Sequence, residues 1–185
     1  MSYTDKKSMV LSELNTALSR VDPEAVERLK EEILAAGQVF FVGVGRVLLA
    51  LQCVCKRLSH LGISAHWVGE VTEPAIGKED LLIVGSGSGV TLFPLAIARK
   101  AQTLGAKVVH IGSNPGSPMR EAASFQVRIP VRTKMALEDE VDSAQPMTSL
   151  FEQSVLLLGD ILAAMIIEEK RIDVASLWTY HANLE

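Results

Sequence analysis

Two glycine-rich turns and one acidic side chain carry most of the chemistry visible in this sequence. The segment Gly85-Ser86-Gly87-Ser88-Gly89-Val90-Thr91 follows the apolar run 81–84. Alternating glycine and serine lets the backbone wrap closely around an anion, while the hydroxyls of Ser86, Ser88 and Thr91 add donors. A helix opening after such a turn offers unpaired N–H groups and the positive end of its dipole, which together suit a phosphate. The plainer reading is a flexible loop with a serine helix cap. The second turn, Gly43-Val44-Gly45-Arg46, follows the run 39–42. A G-x-G after a strand opens the dinucleotide fingerprint, but position 48 is Leu where a third glycine is required, and no P-loop lysine follows. Nucleotide binding is therefore the lesser reading.

Glu152 is the acid that stands out. Ser149-Leu150-Phe151-Glu152 fits a capping box, in which the glutamate folds back onto the amide of Ser149. The same carboxylate, partly buried, could act as a general base. The histidines are equally two-sided. His60 falls at a helix end, where a cation is favourable. His66 and His110 lie in strand patterns and read as satisfied structural groups. His181 belongs to an aromatic tail at 173–185 that either docks or is disordered. Cys53 and Cys55 read as two buried free thiols, and no His, Cys, Asp and Glu set has metal-ligand spacing.

These residues need elements to hold them. Residues 1–37 read as two helices, with Asp22-Pro23-Glu24 as a capped start for the second. Short apolar runs at 39–42, 65–68, 81–84, 108–111 and 125–129 then alternate with helical spacing over 46–61 and 92–104. That alternation predicts βαβ units and a parallel sheet of five strands covered on both faces. Residues 130–146 have no clean period and read as a long loop, either a lid or an inter-subunit arm. From Ser149 onward an apolar helix predicts packing against both the sheet and a second subunit.

The composition sets outer limits. The 185 residues carry 18 Lys+Arg and 22 Asp+Glu, a formal net charge of -4, which suits one domain and disfavours nucleic acid as a partner. The start lacks the apolar stretch of a signal peptide, and no membrane span is expected, so the chain is expected in the cytoplasm.

Taken in order, VGVGR, RLSHLG, VGEVTEP, IVGSGSGVT, QPMTSLFEQ and HANLE resemble the 6-phospho-3-hexuloisomerases, a branch of the sugar isomerase (SIS) domain family. The resemblance covers essentially the whole chain, and SLFEQ with HANLE is its most specific part. It implies a three-layer, flavodoxin-like α/β/α sandwich assembled as a homotetramer, with sites near subunit interfaces. It also implies a cofactor-free interconversion of D-arabino-3-hexulose 6-phosphate and fructose 6-phosphate, serving the ribulose monophosphate route or its reversal. By motif, Glu152 matches the base and His181 the tail histidine, supplied from a neighbouring subunit. Gly45, Arg46, Ser86, Gly87, Ser88, Gly89 and Thr91 match substrate-binding positions. Two positions depart from the family pattern: Val47 stands where the family has serine, and Val90 where it has glutamate. Both lose a polar group, so a different sugar phosphate, or a non-catalytic phosphosugar-binding module, is the alternative expectation.

Overall fold

The computed structural model describes residues 2–184. Helices α1 (Tyr3–Leu18) and α2 (Pro23–Ala35) come first. Helix α1 opens on a reciprocal pair between Ser2 and Asp5, and α2 opens on Asp22, whose carboxylate accepts from the Glu24 amide at 3.0 Å. The strands follow as β1 (Val39–Val42), β2 (Ala65–Trp67), β3 (Leu81–Gly85), β4 (Lys107–Gly112) and β5 (Phe125–Arg128). Between them run α3 (Gly45–His60), α4 (Leu92–Thr103) and the single turn α5 (Met119–Ala122), and α6 (Ser149–Lys170) closes the main body. The sequence reading finds all five strands to within two residues at each end but not α5, which is too short for a helical period to register.

The sheet is parallel throughout, in the order β2-β1-β3-β4-β5. Side chains alternate across it because successive strand residues point to opposite faces. Phe41, Leu81, Ile83, Val109 and Ile111 face a core completed by α1, α2, α3 and α6. Phe40, Val42, Leu82, Val84 and Val108 face a second core completed by α4 and α5. This is the parallel sheet covered on both faces that the strand–helix alternation predicts, in the three-layer, flavodoxin-like form that the family resemblance implies. The order reverses between β1 and β3, and in such sheets the crevice outside the carboxyl ends of those two strands is where ligands bind.

Helix α6 has the length and composition of a membrane span, but more than half of that stretch is buried inside the protein. Leu150, Phe151, Val155, Leu158, Leu162 and Ile166 fill the first core, and Gly159 allows contact with α3. The tail docks rather than trailing away: a 3-10 turn (Val174–Tyr180) lies against α3, with Tyr180 over Gly62. One expectation fails. Cys55 faces the core, where burial pushes its thiol up to about 12, but Cys53 is exposed. Positions two apart on a helix point to different faces, so one core cannot take both.

Candidate functional site

The two glycine turns sit side by side at the switch point. Gly45 begins α3 at a φ of 56° and Gly89 reaches 66°, the left-handed region that glycine enters without steric cost. Val47 and Leu51 of α3 press against Gly85, which ties the first turn to the second. Phe151 of α6 packs against Gly87. Three chain segments, 43–46, 85–91 and 148–152, therefore converge at one end of the sheet.

The 85–91 turn is built around its own hydroxyls. Ser86 and Ser88 are buried, and the Ser86 hydroxyl donates to Thr91 Oγ1 at 3.2 Å while accepting from the Gly89 amide at 3.2 Å. Beneath it, His110 donates from Nε2 to the Ser86 carbonyl at 2.8 Å. Since a carbonyl only accepts, that nitrogen carries the proton. Burial pushes the His110 imidazole down to about 4, so it is neutral at physiological pH. The structural reading of His110 holds. His66 too is satisfied, by Glu70 at 2.6 Å and Ser64 at 3.2 Å.

Glu152 lies beside this turn and is 8% exposed. Its Oε2 accepts from Arg46 Nε across the gap between α6 and α3, and its Oε1 accepts from the Thr148 hydroxyl at 2.8 Å. The capping box therefore does not form. Thr148, not Ser149, is the N-cap, which shifts Glu152 one position too far along the helix to reach the cap amide. The Arg46 side chain remains 64% exposed, so it can leave the carboxylate for an incoming anion. Arg46, Leu49, Ala50, Cys53, Glu152, Gln153 and Leu156 line a cleft of about 210 Å³. None of α3, α4 and α6 has a side-chain cap, which leaves the first N–H groups of α3 and α4 without a capping side chain, while the Ser149 amide at the start of α6 donates to the Pro146 carbonyl at 3.2 Å.

Structure brings together Gly45, Arg46, Ser86, Gly87, Ser88, Gly89, Thr91 and Glu152. It does not bring His181 to them within one chain. That ring stacks on His60 at 5.5 Å and meets Trp178 at 5.0 Å, at the far end of α3. Fourteen residues separate His60 from Arg46, roughly 20 Å at the helical rise. The sequence reading also misses a buried carboxylate, Glu140, beneath the 85–91 turn. Among the described residues, no group of three or more His, Cys, Asp or Glu could hold a metal ion.

This architecture, a 2-1-3-4-5 parallel sheet with a serine–glycine turn after its central strand, defines the class, and residues 32–157 match the SIS domain model. The chain belongs to the SIS domain family. Over 185 residues, all of both chains, it is 36% identical to the 3-hexulose-6-phosphate isomerase of Bacillus subtilis. It is also 36% identical to the Mycobacterium gastri enzyme of that name, over 98% of this chain and 91% of the relative. Among solved structures it superposes with a TM-score of 0.85, at 28% identity, on a Methanococcus jannaschii protein inferred from its crystal structure to be a 3-hexulose-6-phosphate isomerase. That match covers 98% of this chain and 99% of the other.

Proposed function

We propose that this chain is a phosphosugar isomerase interconverting D-arabino-3-hexulose 6-phosphate and fructose 6-phosphate. The observation that carries the proposal is the buried Glu152 carboxylate, held by a displaceable arginine beside a serine–glycine turn, in a chain similar over its full length to enzymes of that name.

The 85–91 turn takes the phosphate through its backbone N–H groups and the Ser86, Ser88 and Thr91 hydroxyls, helped by the α4 dipole. In the 3-hexulose, the carbonyl at C3 acidifies the hydrogen on C2. Glu152 removes that proton, the electron pair becomes the C2–C3 double bond, and negative charge collects on the C3 oxygen. Arg46, drawn from Glu152 to the substrate, stabilises that charge. Glu152 then returns the proton to C3 while the C2 hydroxyl proton moves to the C3 oxygen, leaving the carbonyl at C2. The oxidation at C2 and the reduction at C3 balance within one molecule.

His181 of a neighbouring subunit assists the oxygen proton transfers in this reading. An oligomer, a tetramer as in the resemblance, supplies it, and the exposed apolar side chains of Leu49 and Ile161 on α3 and α6 favour such an assembly. The reaction belongs to formaldehyde fixation through the ribulose monophosphate route, or to its reversal, in the cytoplasm. Coupled assay of fructose 6-phosphate formation from enzymatically generated hexulose 6-phosphate tests the substrate. A thermal-shift screen of sugar phosphates run beside it identifies a binding module, which would be stabilised without turnover.

A further inference from the structure

The carboxylate of Glu140 has no part in the chemistry above, yet it is 8% exposed and surrounded by donors. Its Oε1 accepts from the Ser113 hydroxyl at 2.6 Å and the Thr133 hydroxyl at 3.3 Å. Its Oε2 accepts from the amides of Leu137 at 3.0 Å and Thr133 at 3.2 Å. Of the four acids between 138 and 142, it is the one turned inward onto protein donors; Asp139 and Asp142 pair with Arg128 and Arg132 at the surface.

Two of the three residues that Glu140 grips, Ser113 and Thr133, bear on Gly87, the centre of the 85–91 turn. The Ser113 amide donates to the Gly87 carbonyl at 2.9 Å, with the Asn114 amide joining at 3.1 Å. The Thr133 methyl lies so close to Gly87 that a Cβ there would come within 2.9 Å of it. Arg128 Nε holds the Ser113 carbonyl at 2.7 Å, which leaves the Ser113 hydroxyl to Glu140. One side chain from the 130–146 excursion thus fixes both supports of the turn.

We propose that Glu140 is a positioning residue for phosphate binding: it holds Ser113 and Thr133 under Gly87 and so sets the conformation in which the 85–91 turn accepts an anion. This rests on the reading of that turn as the phosphate site. Glutamine at 140 can preserve the arrangement. Its carbonyl oxygen can accept from the two amides, and its NH2 can donate to the Ser113 and Thr133 hydroxyls once these rotate. Alanine cannot.

The test compares Glu140→Ala, Glu140→Gln and Ser113→Ala for steady-state kinetics, and for amide hydrogen exchange at 86–90 in the ligand-free protein. Glu140→Ala is expected to raise KM for the sugar phosphate about 10-fold or more with kcat within threefold, and to speed exchange across the turn. Glu140→Gln is expected to restore both. Ser113→Ala, which deletes one strut without emptying the site, is expected to fall between them and decides the matter if Glu140→Ala does not fold. A folded Glu140→Ala or Ser113→Ala with lowered melting temperature but wild-type KM and exchange makes the role merely structural and overturns the proposal. A wild-type protein that neither binds nor turns over sugar phosphates defeats the isomerase reading instead. The exchange data then still decide whether Glu140 shapes the turn.

Discussion

Glu152 has two partners and a choice between them. Its carboxylate accepts from Thr148 on its own helix and from Arg46 on another, and only the second partner is exposed enough to move. If it is the base, Glu152→Gln keeps the shape and the helix but removes the proton acceptor. The expected result is a kcat lower by about 10²–10⁴-fold with KM changed only a few-fold, since that range is the usual worth of one general base. Ser86→Ala and Ser88→Ala are expected to do the reverse. A hydrogen bond to a charged group contributes about 1.5–3 kcal/mol, so each should raise KM roughly 10-fold or more with little change in kcat. Steady-state kinetics separate the two patterns. His110 yields a stability prediction. Its imidazole is ordinarily half-protonated near 6.5 but is held down to about 4 in the folded protein by burial. The unfolded chain therefore takes up the proton first as pH falls. Stability from this group is fully present above pH 6.5 and is lost progressively between 6.5 and 4, by about 3 kcal/mol. His110→Gln, which can still donate to the Ser86 carbonyl, should flatten denaturant-unfolding stability across that window. Residues of this scale were partly legible in sequence. Glycine and serine advertise a turn by type, whereas Glu140 is one acid among several in an aperiodic loop and is marked out only by its burial.

Elements were more legible than side-chain partners because periodicity survives without tertiary information. The strand runs and the α3, α4 and α6 patterns follow directly from which residues are apolar and how often. The start of α6 was not legible to the residue: Thr148 and Ser149 are both good caps, and only the fold assigns Thr148, which frees Glu152 to meet Arg46. That meeting depends on how closely α3 and α6 approach. At Gly159 a Cβ would come within 2.2 Å of Val54 Cγ2, a carbon on the rigid β-branched side chain of the facing helix. Gly159→Ala should force the helices apart, at a cost of about 1–3 kcal/mol for overpacking. Melting temperature should fall, and kcat should fall at temperatures where the variant is still folded, because Arg46 and Glu152 move with their helices. Leu157→Ala, on the same helix away from that contact, serves as the control that should leave kcat near wild type.

At the scale of the molecule, a single chain brings the 85–91 turn and the Glu152 carboxylate together but leaves His181 at the opposite end of α3. If His181 serves a neighbour's site, Glu152→Gln and His181→Ala chains are each impaired alone, yet mixed oligomers contain some sites with both residues intact. Unfolding and refolding the two variants together should therefore recover activity that neither shows separately, and no recovery would confine His181 to a structural role in its own tail. The apolar run of α6 predicts burial against the sheet, as found, and against a second subunit. Most of it fills the chain's own core, and Ile161 remains outside. The central claim is proton transfer by Glu152 between C2 and C3 of a hexulose 6-phosphate. Its most direct test is turnover of hexulose 6-phosphate in deuterated water, with the product read by NMR. The account predicts fructose 6-phosphate from the wild-type chain with solvent deuterium at C3 in those turnovers where the proton on Glu152 exchanges with solvent before its return, and loss of both product and label with Glu152→Gln. Wild-type rates and labelling from the Glu152→Gln chain would contradict it.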